Sequence, residues 1–89
     1  MPTYIGLIKF RKKPTKEVIK QNLEQMEKDK QKGFNYRGIY WTLGRYDAVV
    51  IYDAPDEKAV MKGSIARGEN MSAETMVAIP AEEARKLVE

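Results

Sequence analysis

The chain contains no cysteine and no histidine. Without either residue there are no disulfides, no thiolate nucleophile, no ordinary zinc site and no His-ligated haem. A Ser-His-Asp apparatus is excluded as well, and with it the commonest acid–base side chain. No glycine-rich loop of the phosphate-cradling kind is present. The carboxylates Asp47, Asp53 and Glu74 match no known cation-binding loop, so no metal and no cofactor is expected. No apolar run approaches the roughly 20 residues of a membrane span, so no membrane association is expected. The opening Met1-Pro2-Thr3-Tyr4 lacks the basic-then-apolar pattern of a secretory signal. The expectation is a small cytoplasmic domain.

What is present fits one globular unit covering residues 1–89, with 43% hydrophobic and 33% charged residues. The net charge is +3, unevenly spread. Ten Lys and Arg against four acids give Lys9–Arg37 a net +6, and the rest of the chain carries −3. A basic half can attract nucleic acid or an anionic ligand. The acids are interleaved with the lysines, however, which also describes a solvated helix face.

Thr3 to Phe10 reads as a first strand. Thr15 is placed to cap a helix running to about Gln31, with Ile19, Leu23 and Met26 on one stripe, and Gly33 ends it. Tyr36–Leu43 and Tyr46–Asp53 flank Gly44-Arg45 as a hairpin. Asp56 caps a second helix to about Arg67, with Val60, Met61 and Ile65 expected inward. Met71–Ile79 is a fourth strand, and Ala81–Val88 a short helical end. The order β-α-β-β-α-β predicts an α+β, ferredoxin-like domain. Its four-stranded antiparallel sheet has strands one and three central and two helices on one face.

Strand alternation sorts the side chains into two sets. Ile5, Leu7, Val49, Ile51, Val77 and Ile79 form an aliphatic set expected beneath the helices, with Trp41 closing the layer at a helix end. The other set holds Tyr4, Gly6, Ile8, Phe10, Tyr40, Thr42, Tyr46, Ala48, Val50, Tyr52, Glu74, Met76 and Ala78, and is expected on the uncovered face. Such a face is too apolar to meet water. Burial at about 25 cal/mol per Å² favours covering it with a second copy, which makes a homodimeric α/β barrel. The small residues Gly6, Ala48 and Ala78 among the rings leave room for a cavity, or accommodate the partner's rings.

The run Leu43-Gly44-Arg45-Tyr46-Asp47-Ala48-Val49-Val50 resembles the signature of the GYD domain family, Gly-x-Tyr-Asp followed by an aliphatic strand. Pro2-Thr3-Tyr4-Ile5, Tyr40-Trp41-Thr42-Leu43-Gly44, Ala54-Pro55-Asp56 and Glu74-Thr75 are also similar to that family. The resemblance spans essentially the whole chain and implies a domain of the dimeric α/β barrel group. It implies no particular reaction. The chain departs from the usual pattern at Phe10-Arg11, where Trp-Thr is common, and at Arg45, where an acid is common.

The candidate ligand-binding residues are Tyr4, Tyr40, Tyr46, Asp47, Tyr52 and Glu74. Asp47 is placed either to anchor a ligand or to accept backbone N–H bonds at the turn. Glu74 is either a buried carboxylate of raised pKa or a solvent-facing edge residue. Three function classes follow. The first is a homodimeric binding module with a small apolar or aromatic ligand in a tyrosine-lined space between sheets. The second is a cofactor-free enzyme, in analogy to monooxygenases and isomerases of the barrel group, with Tyr46, Asp47 and Glu74 polarising a substrate. The third is an RNA-binding domain stacking bases on Tyr4, Phe10, Tyr46 and Tyr52. It is the less favoured, because Arg37-Gly38-Ile39-Tyr40-Trp41 falls on the wrong strand for a ribonucleoprotein motif.

Overall fold

The computed structural model describes residues 1–89, which build β1 (Thr3–Phe10), α1 (Lys16–Gln31), β2 (Asn35–Trp41), β3 (Ala48–Asp53), α2 (Glu57–Ala66), β4 (Met71–Ala78) and α3 (Ala81–Arg85). A 3-10 turn, Lys86–Val88, follows α3. Both long helices start where a side chain captures a free backbone N–H. Thr15 Oγ1 accepts from Val18 N at 3.2 Å, and Asp56 Oδ1 from Ala59 N at 2.9 Å. α1 ends before Gly33, whose φ of +102° suits glycine alone, and Pro55 packs 3.2 Å from where a Cβ would stand.

The hairpin between β2 and β3 turns at Gly44, also at φ +102°. Both strands are shorter than the sequence predicts, because residues 42–47 form a closed loop. Thr42 N donates to Asp47 O at 2.9 Å, and Thr42 Oγ1 to Tyr46 O at 2.6 Å. All pairings are antiparallel in the order β2-β3-β1-β4, the ferredoxin-like arrangement expected, with β1 and β3 central. α1 and α2 lie on one face. α3 and its 3-10 turn contact chiefly each other, leaving Leu87 and Val88 exposed. No helix is long and apolar enough to cross a membrane.

The side of the sheet that the helices take is the reverse of the sequence expectation. Gly6, Ile8, Phe10, Ala48, Val50 and Tyr52 face Ile19, Leu23 and Met26 of α1. Tyr4 clusters with Val60 of α2, with Phe34 and Tyr52 packed around them. The aromatic set is therefore the covered one, and Ile5, Leu7, Val49 and Ile51 line the open face. On β4 the two sets are exchanged relative to the expectation. The β1–β4 register sets Glu74 opposite Leu7 and Met76 opposite Ile5, so both belong with the aliphatic set, while Val77 pairs with Tyr4. A β-bulge between Tyr36 and Gly38 shifts the alternation in β2. Trp41 consequently lies opposite Ala48 on the helix side, as expected, and Tyr40 opposite Val49 on the open side. In α2 only Val60 is buried, whereas Met61 and Ile65 remain exposed.

Candidate functional site

The helix layer does not fill the space above the sheet. A cavity of about 170 Å³ remains, floored by Gly6, Ala48 and Ala73 and roofed by Ile19, Leu23 and Met26. Small residues on the two central strands open it: a Cβ built on Gly6 would meet nothing nearer than 4.0 Å. Gly6 and Ala48 thus leave the room their sizes suggest, while Ala78 lies elsewhere. Phe10 and Trp41 line the cavity as a tilted pair with centroids 5.5 Å apart. Ile39 and Trp41 on one edge strand, and Ala73 and Thr75 on the other, line it yet stay exposed, so it communicates with solvent along both edges.

One wall is aromatic and polar. Tyr52 stacks on Tyr4 at 5.7 Å and on Phe34 at 5.8 Å. Beside it Tyr36 donates its hydroxyl to Asp29 Oδ2 at 3.0 Å. Asp29 also accepts from Gln25 Nε2 at 3.1 Å and from Arg67 Nη2 at 2.8 Å. The cluster ties α1, β2 and the C-cap of α2 together. Burial pushes the Asp29 carboxyl up, but the Gln25 amide, the Arg67 guanidinium and the Tyr36 hydroxyl outweigh it and hold the group below the usual carboxylate range. Burial pushes the Tyr36 phenol up to about 12, with Arg67 opposing and the Asp29 charge adding. Burial also raises Tyr52, against the Thr75 hydroxyl and Arg67, and raises Tyr4. Every phenol of this wall is a donor at neutral pH, and none is a base.

The six residues singled out in the sequence separate into three places. Tyr4 is buried under α2, and Tyr52 lines the cavity. Tyr40 stands exposed on the open face. At the hairpin end Tyr46 donates its hydroxyl to Glu74 Oε2 at 2.7 Å, while the Arg45 guanidinium lies 5.7 Å over its ring. The bond to Glu74 is the main cause of the raised Tyr46 pKa. Asp47 does the turn work: Oδ2 accepts from Phe10 N at 2.8 Å, and its own N donates to Ile8 O at 2.8 Å. Tyr46, Asp47 and Glu74 are thus held by each other and by backbone, and none lines the cavity. Asp53 is likewise occupied. Thr3 Oγ1 at 2.6 Å, Arg37 Nε at 2.8 Å and Asn35 Nδ2 at 3.2 Å hold its carboxyl below the usual range, Thr3 foremost. No group of three or more acidic side chains is arranged to hold a metal ion.

Asp29, Tyr36, Arg67 and Thr75 were not among the sequence candidates. One signal did exist for Asp29. An acid in the last turn of a helix opposes the macrodipole, so its presence between Lys28 and Lys30 calls for a tertiary partner. Thr75 carried no such mark. Its place on the cavity follows only from the β1–β4 register, which sets it opposite Gly6.

No curated protein and no solved structure matches this chain. The family model described as GYD domain matches residues 4–88, from the first strand to the final 3-10 turn. It covers the Gly44–Asp47 turn, the cavity floor and the Asp29–Arg67 tie alike, and the chain belongs to the GYD domain family.

Proposed function

We propose that this GYD domain is a homodimeric binding module that pairs through its open sheet face and holds a small apolar or aromatic ligand. The observation that carries the pairing is the composition of that face. Ile5, Leu7, Val49 and Ile51 sit at its centre on β1 and β3, with Tyr40 and Met76 exposed to either side. A contiguous apolar strip across four strands exceeds the scattered exposure normal for a monomer. A second copy offers the self-complementary cover that a two-fold axis requires. The ligand's place is the space beneath the helices rather than between two sheets, because Tyr52 and the small floor residues lie there.

The same geometry speaks against RNA binding. Base stacking needs accessible rings on the two central strands. Tyr4 is buried, and Tyr52 and Phe10 point into the helix layer.

Light scattering tests the pairing. The expected result is a dimeric mass for the natural chain and a monomeric mass for Ile51→Lys, with the circular dichroism of the fold retained. A monomeric natural chain refutes it. Native mass spectrometry of protein taken directly from expression tests ligand retention, with one small molecule per chain expected.

A further inference from the structure

We infer that the cavity beneath the helices selects neutral molecules of about one ring carrying a single hydrogen-bonding group, and rejects charged ones. This rests on the reading of that space as the ligand site, and it names the chemistry of what enters.

The size follows from the volume. About 170 Å³ is close to the roughly 150 Å³ of an apolar cavity that admits benzene. The charge preference follows from the polar wall. The one cation facing the space, Arg67, is 2.8 Å from Asp29, and that carboxylate has three donors. Both charges are compensated inside the protein, and no buried polar side-chain atom lacks a partner. An anion entering would have to share with Asp29 a guanidinium whose charge that carboxylate already neutralises. A cation would face the Arg67 guanidinium across an apolar floor. In either case a charge would leave water without a counter-charge waiting for it. A neutral polar group meets no such cost. Tyr52, Ser64 and Thr75, each carrying a hydroxyl, all line the space, and Tyr52 of β3 reaches over Gly6 of β1 toward Thr75 of β4. Together they can donate to or accept from one hydroxyl or carbonyl of a guest, whose ring then lies over Gly6 and Ala48 toward Phe10 and Trp41.

Trp41 is the only tryptophan in the chain, so its fluorescence reports directly on occupancy. The experiment titrates the full-length protein with p-cresol, toluene, 4-methylbenzoate and benzylamine, with ligand-observed NMR as the second readout. The expected result is saturable binding of p-cresol and toluene, with both charged probes at least tenfold weaker. Thr75→Val keeps the β-branched shape and removes the hydroxyl. It should weaken p-cresol severalfold and leave toluene within twofold. Ala48→Leu fills the floor and should abolish both, and Ala73→Leu, at an exposed edge position, is the companion should the first not fold. Saturable 4-methylbenzoate or benzylamine binding as tight as p-cresol overturns the proposed selectivity while leaving a ligand site in place. Absence of saturable binding by any of the four overturns the ligand site itself.

Discussion

Removing Arg67 isolates the worth of the one polar tie between the two helices and the sheet. In Arg67→Met the stem still packs, but Asp29 loses its counter-charge. Breaking a fully buried ion pair from one side costs about 3–5 kcal/mol. Here the Arg67 side chain is 24% exposed and that of Asp29 10%, so some solvent screening remains. Gln25 and Tyr36 also continue to donate to the carboxylate. The expected loss is therefore about 2 kcal/mol, or about 8–16 °C in Tm for a domain of this size. The internal control is Arg37→Met. Arg37 is bonded to Asp53 at the same 2.8 Å but is 59% exposed, so its loss should be within about 1 kcal/mol. The assay is urea unfolding followed by Trp41 fluorescence, at one fixed protein concentration because pairing would contribute to stability. The pH dependence adds a second signature. The Asp29 pKa is lower folded than unfolded, so its contribution is present above the ordinary value of 3.8 and is lost as pH falls below it. Arg67→Met should flatten that acid limb. Equal stability of Arg67→Met and the natural chain would refute the buried-pair reasoning, and so would an Arg37→Met loss as large as that of Arg67→Met.

Three further outcomes follow from single contacts. Gly44→Ala should cost about 1–2 kcal/mol in chemical denaturation through backbone strain alone, because φ is +102° and no atom lies within 4 Å of the added methyl. Asp47→Asn should stay within about 1 kcal/mol of the natural chain, since the amide oxygen still accepts from Phe10 N, whereas Asp47→Ala should lose about 1–3 kcal/mol. Phenolate absorbance should show Tyr36 ionising at about 12, above the ordinary value of 10.0. Stability should accordingly fall as pH rises from 10 to 12, where the unfolded chain releases a proton that the folded one keeps, and Tyr36→Phe should reduce that fall.

The local elements were legible because their signals are local. Thr15, Gly33, Gly44 and Asp56 each act on a backbone within a few residues, and each does in the structure what its chemistry suggests. The strand order followed from element order and crossover handedness. Within β1 and β3 the division of side chains into two sets also held, since neither strand is bulged along their pairing.

The site was less legible. Parity alone sets Glu74 among the tyrosines, because β4 reaches β1 only through α2 and no tight turn fixes the register between them. The bulge at Tyr36/Gly38 is a one-residue event with no mark of its own beyond a glycine. Composition therefore determined a small domain without Cys or His chemistry, the order of its elements determined the α+β class, and capping and turn residues determined where those elements begin and end. Which face the helices cover was left to the tertiary structure, because both faces are apolar and burial energy alone does not distinguish them. Packing of α1 and α2 over the side that carries Gly6 and Ala48 made that choice, and it opened the cavity, assembled Asp29 with Arg67 and Tyr36, and left the aliphatic face uncovered.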